Sequence, residues 1–241
     1  MVQDYEAKLI TKEEIAPRIW SYRFAIPEGQ TIDFTAGQYM LLKVEGNYRQ
    51  YSIASSDTIH NSFDLIVETV DGGLGSNYLQ HLPIGEVAHF KGPAGVFTLK
   101  DSTKNKIFLA TGTGIAPVKS MIESYFSRES HNASITLLFG LKDRKNTYLF
   151  NEFKQLSVQN PNFHFRMCLS KEEQVVDLEE EYYRTGRVNA YLTEILAVEK
   201  EIVVSSEFYI CGSKQAVDSL KEFVAQLGVP AEHIFFERFT I

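Results

Sequence analysis

The chain is short of cysteine, has no surplus of basic charge and contains no long apolar run. Each shortage removes a class of function. Among its 241 residues are two cysteines, Cys168 and Cys211, too few for a metal or iron–sulfur cluster held by this chain alone. In a reducing compartment both are expected as free thiols. Lysine and arginine number 24 against 31 aspartate and glutamate, a net charge of −7. Nucleic acid is therefore not an expected partner, because no basic surplus is available for phosphates. No apolar stretch approaches the roughly 20 residues needed to span a bilayer. The opening stretch, MVQDYEAKLI, lacks a basic segment followed by an apolar run and a cleavage site, so a cytoplasmic location is expected. Repeats and low-complexity segments are also absent.

What is present is a folding composition, 44% hydrophobic and 12% aromatic, with length enough for one large domain or two small ones. The first hundred residues predict strands over Asp4–Thr11, Arg18–Ile26, Tyr39–Val44, Gln50–Ala54, Phe63–Val70 and Val87–Lys91. Glycine and proline turns separate them, and one short helix is expected at Ser76–His81. Many short strands at this spacing predict an antiparallel barrel over residues 1–103. After the stretch LKDSTKNK (Leu99–Lys106) the rhythm changes. Apolar strands at Ile107–Ala110, Ile135–Gly140, Phe163–Leu169 and Phe208–Gly212 alternate with helical stretches at Pro117–Phe126, Tyr148–Val158, Asn189–Glu199 and Lys214–Leu227. The segment IFFERF reads as a last strand. This alternation predicts an α/β domain with a parallel sheet over residues 104–241.

Three stretches carry more than packing requires. In RQYSIASS, Tyr51 and Ile53 suit a strand, but Arg49 and Ser52 are not explained by it. In IFLATGTGIAP, a strand runs into Gly112-Thr113-Gly114, and Pro117 falls in the first turn of the next helix. Glycines admit an anion to the backbone, and a helix N-terminus offers free N–H groups. Plain turn chemistry accounts for the same residues, and Pro117 replaces the third glycine of the dinucleotide fingerprint. In YICGS, Cys211 and Gly212 end a strand where ligands of open parallel sheets sit, and Ser213 can cap the following helix. A small buried hydrophobe is the competing reading of Cys211, and the preferred one for Cys168.

RQYSIASS, GGLGSNYL, ATGTGIAP, YICGS and the tail FFERF occur in the order found in the ferredoxin-NADP reductase superfamily, and the chain resembles that family over nearly its whole length. The resemblance implies a flavin-binding barrel and a nicotinamide-nucleotide domain. Arg49 would pair with the flavin pyrophosphate, where a guanidinium fork is matched. Tyr51 would lay its ring against the isoalloxazine, Ser52 would reach flavin N5, and Gly75 and Ser76 would open a helix against the pyrophosphate. Gly112, Thr113 and Gly114 would cradle the dinucleotide. Cys211 would sit near the nicotinamide, with Glu237 in the same active centre. Phe239 resembles the terminal aromatic that covers the flavin, although here Thr240 and Ile241 follow it, and a core aromatic is the rival reading. Ser170, Lys171 and Arg187 resemble the residues of phosphate-selecting members. NADPH is therefore expected, with NADH possible, while Glu172 and Glu173 would repel the phosphate if turned inward.

The implied activity is FAD-dependent NAD(P)H oxidation, with hydride delivered to flavin N5 and electrons released singly to a separate acceptor, first a ferredoxin or flavodoxin. Alternatives are the reductase component of an oxygenase, a reductase of free flavin, and a non-catalytic nucleotide-binding module. Residues 1–103 hold 8 basic and 13 acidic residues and the remainder 16 and 18, so any basic docking patch for an acidic ferredoxin must be local. The oligomeric state is open.

Overall fold

The computed structural model describes residues 2–128, 133–175 and 179–239. They fall into two compact units, Met1–Lys100 with Ala116–Glu129, and Asp101–Ile115 with Ser130–Ile241.

The first unit is built on six antiparallel strands: β1 (Gln3–Ala16), β2 (Ile19–Ala25), β3 (Tyr39–Val44), β4 (Asn47–Ser52), β5 (Ser62–Glu68) and β6 (Val87–Ala94). Their order in the sheet is β4-β3-β6-β1-β2-β5. Strict alternation turns Tyr5, Ala7 and Leu9 inward along β1, as a half-buried strand requires. The end strands meet through a bridge between Ile53 and Leu65, and the Ala54 N–H donates to the Asp64 carbonyl at 2.8 Å. Those links close the sheet into a barrel. Phe24, Phe63 and Phe90 fill it, with ring centroids 4.9–5.5 Å apart, each burying about 1.5–3 kcal/mol of apolar surface. Helix α1 (Leu74–His81) adds Leu79 to this core. The strand β1 runs past its expected end at Thr11 to Ala16. Register shifts at Leu9/Thr11 and Glu14/Ala16 accommodate it, and irregularities of this kind hide a long strand from a simple alternation count. Helix α2 (Ile115–Phe126), from Ala116 onward, also belongs to this unit.

The second unit is a parallel sheet of β7 (Lys106–Thr111), β8 (Ile135–Leu141), β9 (Phe163–Leu169), β10 (Tyr183–Thr185), β11 (Glu207–Ser213) and β12 (Ile234–Phe239), ordered β10-β9-β8-β7-β11-β12. Helices α3 (Phe150–Gln159), α4 (Val188–Ser205) and α5 (Lys214–Gln226) connect them. β7 and β11 are apolar along nearly their whole length, as strands covered on both faces are. Chain order reverses between β7 and β11, which makes their carboxyl ends the switch point where ligands of such sheets bind. At the opposite ends, Lys106 and Glu207 are buried 3.6 Å apart, and Ser102 and Tyr209 hydroxyls donate to the carboxylate. The strand β10 was not anticipated, because three residues carry no readable period. Helix α4 continues to Ser205 through a non-helical Glu199, the residue at which the sequence pattern ends it. Among the described residues no helix is long and apolar enough to cross a membrane.

Candidate active site

In the first unit the strand β4 presents its motif to the start of α1. Arg49 is exposed, Tyr51 half-buried and Ser52 5% exposed, as alternation places the first two on one face and the serine on the other. A Cβ on Gly75 would lie 2.4 Å from the Tyr51 hydroxyl and 3.0 Å from Arg49 Cβ and Cγ. Only glycine lets the first turn of α1 lie directly on that pair. Gly73, the N-cap, makes no side-chain cap and the first turn carries no acid, so its N–H groups keep their attraction for an anion. The Ser76 hydroxyl accepts from the Val70 N–H and donates to the Gly73 carbonyl at 3.2 and 3.3 Å, and so shapes the turn. Arg49 donates to the Tyr48 carbonyl at 2.9 Å and forms no ion pair among the described residues. Burial pushes the Tyr51 phenol up to about 12, against the opposing pull of Arg49, so it stays a hydrogen-bond donor. A separate open cleft of about 760 Å³ runs along α1 from Gly72 and Leu74 to His81, with Lys43 and Glu45 on its other wall; Arg49, Tyr51 and Gly75 do not line it.

The second unit builds its loop from backbone. Gly112–Gly114 form a single 3₁₀ turn directly after β7, and Pro117 lies in the first turn of α2. A Cβ on Gly114 would meet the Cys211 carbonyl oxygen at 2.4 Å and Gly212 Cα at 2.6 Å, and one on Gly212 would meet Thr111 Oγ1 at 2.1 Å. The two switch-point loops therefore touch backbone to backbone. Ser213 accepts from the Ala216 N–H at 3.4 Å and caps α5. Cys211 is fully buried and lies in register with Ala110 on one side and Glu237 on the other. Burial first, then the Glu237 charge, raises its thiol well above the ordinary range, with the Gly212 N–H opposing. A thiol so held is a neutral wall and not a nucleophile. Phe239 is half-buried opposite Ser213; Thr240 and Ile241 lie outside the described residues.

At the carboxyl ends of β8, β9 and β10, three neighbouring strands, stand Lys142, Lys171 and Arg187, all exposed and without ion pairs among the described residues. The loops are tied together: Ser170 donates through its N–H and its hydroxyl to the Leu141 carbonyl, at 3.0 and 3.1 Å, and the Lys171 N–H to Lys142 at 2.8 Å. Glu172 accepts from the Arg144 N–H at 2.9 Å, and with Asp143 and Glu173 in the same loops the cluster is of mixed charge.

Sequence reasoning passed over Ser120, Ser124 and Arg128, all of which bond to the segment just after Ser52. The four-residue spacing of Ser120 and Ser124 along one face of α2, with Arg128 four residues on and just past the helix end, was the available signal.

The profile of the oxidoreductase FAD-binding domain matches residues 6–99, and that of the oxidoreductase NAD-binding domain matches residues 108–222. Ferredoxin-NADP reductase B of Sorangium cellulosum is 30% identical across 98% of each chain. The chain belongs to the ferredoxin-NADP reductase superfamily. A second relative, the reductase component of propane 2-monooxygenase from Mycolicibacterium goodii, is 26% identical over 99% of this chain and 68% of its own length. The crystal structure of Amycolatopsis cytochrome P450 reductase GcoB superposes with a TM-score of 0.88 at 23% identity, over 100% of this chain and 71% of that one. That likeness shows the same two-domain fold. As a superfamily member the chain is a flavoenzyme oxidoreductase that binds FAD and NAD(P)H. The residues present fit that cofactor: a guanidinium with no ion pair among the described residues, an uncapped helix start with a glycine against it, and a protonated phenol lie together.

Proposed function

We propose that this reductase takes electrons from NADPH and passes them singly to a separate acceptor protein in the cytoplasm, a ferredoxin or a flavodoxin. Bound FAD supplies what no side chain here can, acceptance of a hydride and return of its two electrons one at a time. In this reading residues 1–103 hold FAD and residues 104–241 hold the nicotinamide nucleotide. Arg49 and the N–H groups at Gly75 and Ser76 hold the pyrophosphate. Tyr51 supports the flavin ring from one face, and Ser52 donates its hydroxyl at N5. Gly112, Thr113 and Gly114 take the dinucleotide phosphates on backbone N–H groups. Cys211 and Glu237 border the nicotinamide, and Phe239 is the aromatic of the same centre. Ser170, Lys171 and Arg187 read the 2′-phosphate, so NADPH is preferred over NADH by a modest margin: lysine offers a point charge without a fork, and Glu172 stands close by.

The observation that carries this reading is the close approach of Gly75 to Arg49 and Tyr51, which sets an exposed cation that the strand does not need for packing beside a helix start. The test is the purified protein itself. It should be yellow, release FAD on denaturation, and oxidise NADPH with reduction of a ferredoxin or flavodoxin. Oxygenase components and free flavin complete the acceptor panel. A colourless protein that reduces only free flavin would overturn the proposal, and transfer to an oxygenase component alone would replace the acceptor.

A further inference from the structure

Four serines are buried where the first unit has no packing need for hydroxyls: Ser55, Ser56, Ser120 and Ser124, between 0% and 5% exposed. Ser120 Oγ donates to the Ser55 carbonyl at 2.7 Å. Ser124 Oγ accepts from the Asp57 N–H at 2.9 Å and lies 3.2 Å from Ser56 Oγ. One helical turn further on, Arg128 Nη2 donates to both carboxylate oxygens of Asp57 at 2.9 Å, and Asp57 Oδ2 also accepts from the Ala36 N–H at 3.1 Å. On the other side, Ser55 Oγ accepts from the Asp64 N–H in β5 at 3.1 Å. Residues 55–57, three to five positions after Ser52, are thus held to β5 on one side and to α2 on the other.

Paired hydroxyls add little net stability over apolar contacts, but each of these bonds has a direction, and a connected network admits one arrangement. Alanine or valine at the same places would pack α2 onto this segment while leaving it free to slide along the helix. The hydrogen bonds remove that freedom. Ser52 is covalently joined to the clamped stretch through Ile53 and Ala54, which are themselves pinned to Gln38 and Asp64.

We infer that Ser120, Ser124 and Arg128 are positioning residues of the reductase: through Ser55, Ser56 and Asp57 they set the backbone that carries Ser52, and with it the direction of the Ser52 hydroxyl toward the flavin. The inference rests on the assignment of Ser52 to flavin N5. Removing a clamp bond leaves the cofactor bound, because Arg49 and the start of α1 hold the pyrophosphate, but loosens the group that orients the reacting ring.

The test compares Ser124→Ala, Arg128→Gln, Ser52→Ala and the double variant Ser52→Ala/Ser124→Ala in the FAD-loaded protein. Arg128 is about half-exposed just past the helix end, and denaturant unfolding of each variant separates a lost fold from a lost orientation. Stopped-flow reduction by saturating NADPH should slow by about ten-fold in Ser124→Ala and by a smaller factor in Arg128→Gln, since sub-ångström misplacement of a catalytic group costs rate steeply. NADPH dissociation constants and FAD content should stay at wild-type values. Hydrogen exchange should rise in the peptide covering residues 50–57, and the visible band of bound FAD should shift in the same direction in Ser124→Ala as in Ser52→Ala. The double variant should be no slower than Ser52→Ala alone, because a residue acting only through Ser52 has nothing left to act on. If Ser52→Ala slows reduction but Ser124→Ala does not, or if the two losses multiply, the positioning role is wrong while the assignment of Ser52 stands. If Ser52→Ala reduces at the wild-type rate, that assignment falls and the inference with it.

Discussion

The sites proposed in the two units are built by opposite means. In the first, side chains do the work: Arg49 and Tyr51 stand on one strand face, and a single glycine, Gly75, lets a helix start lie against them. In the second, the backbone does it: Gly112–Gly114 and Gly212 bring two loops together with almost no side chain between them. Side chains at the first site should therefore be removable one at a time with the fold intact, whereas the second site should fail as a piece, because its walls are backbone.

Adding one methyl group to each site breaks that contrast most directly. Gly114→Ala drives a Cβ into the Cys211 backbone, which cannot step aside, and should cost about 3 kcal/mol or more, read by denaturant unfolding. Gly75→Ala meets side-chain atoms instead, the Tyr51 hydroxyl and the Arg49 stem, which can shift further than backbone can. It should cost about 1 kcal/mol, with FAD affinity falling further than stability. Equal destabilisation by both would erase the distinction. Next in size, Arg49→Ala removes a charge-assisted contact worth about 1.5–3 kcal/mol. FAD should bind roughly 10- to 100-fold more weakly by that conversion, and FMN, which lacks the pyrophosphate, should be nearly unaffected. A matching loss for FMN would move Arg49 away from the pyrophosphate.

Smaller again is the nucleotide preference. Lys171→Ala with Arg187→Ala should lower the NADPH to NADH ratio of kcat/KM by about five-fold, since exposed cations each contribute about 0.2–1 kcal/mol. An unchanged ratio would show that this cluster does not read the phosphate. The units are also separated by pH. Cys211 and Cys168 in the second unit are both raised by burial, Cys168 to about 12, and Tyr51 in the first is raised to about 12. Each folded group keeps a proton that the unfolded chain releases, so stability falls as pH rises past the unfolded value. That value is about 8.5 for a thiol and about 10 for a phenol. Hydrogen exchange resolved by unit should therefore show the second unit weakening first, and Cys168→Ala/Cys211→Ala should remove the step between about pH 8.5 and 10.

Much of this was legible locally. Alternation named β1 to β6 and the apolar runs named β7 to β9 and β11, because both patterns repeat within a few residues. Glycines marked the two loops for the same reason. The strand β10 and the clamp of Ser120, Ser124 and Arg128 were not legible: one is too short to show a period, and the other is defined by partners elsewhere in the chain.

By itself, then, the sequence determined the elements, the change of rhythm near Lys104 and the motifs at strand ends, since backbone preference and hydrophobic period act over short stretches. Only the tertiary structure decided that Ile53 closes the barrel on Leu65, that β7 and β11 are neighbours, and that Gly75 rests on Tyr51. It alone brought Ser56 against Ser124, 68 positions away. Such contacts form only where the gain from packing the whole unit exceeds the entropy of closing long loops, and no local pattern carries that balance.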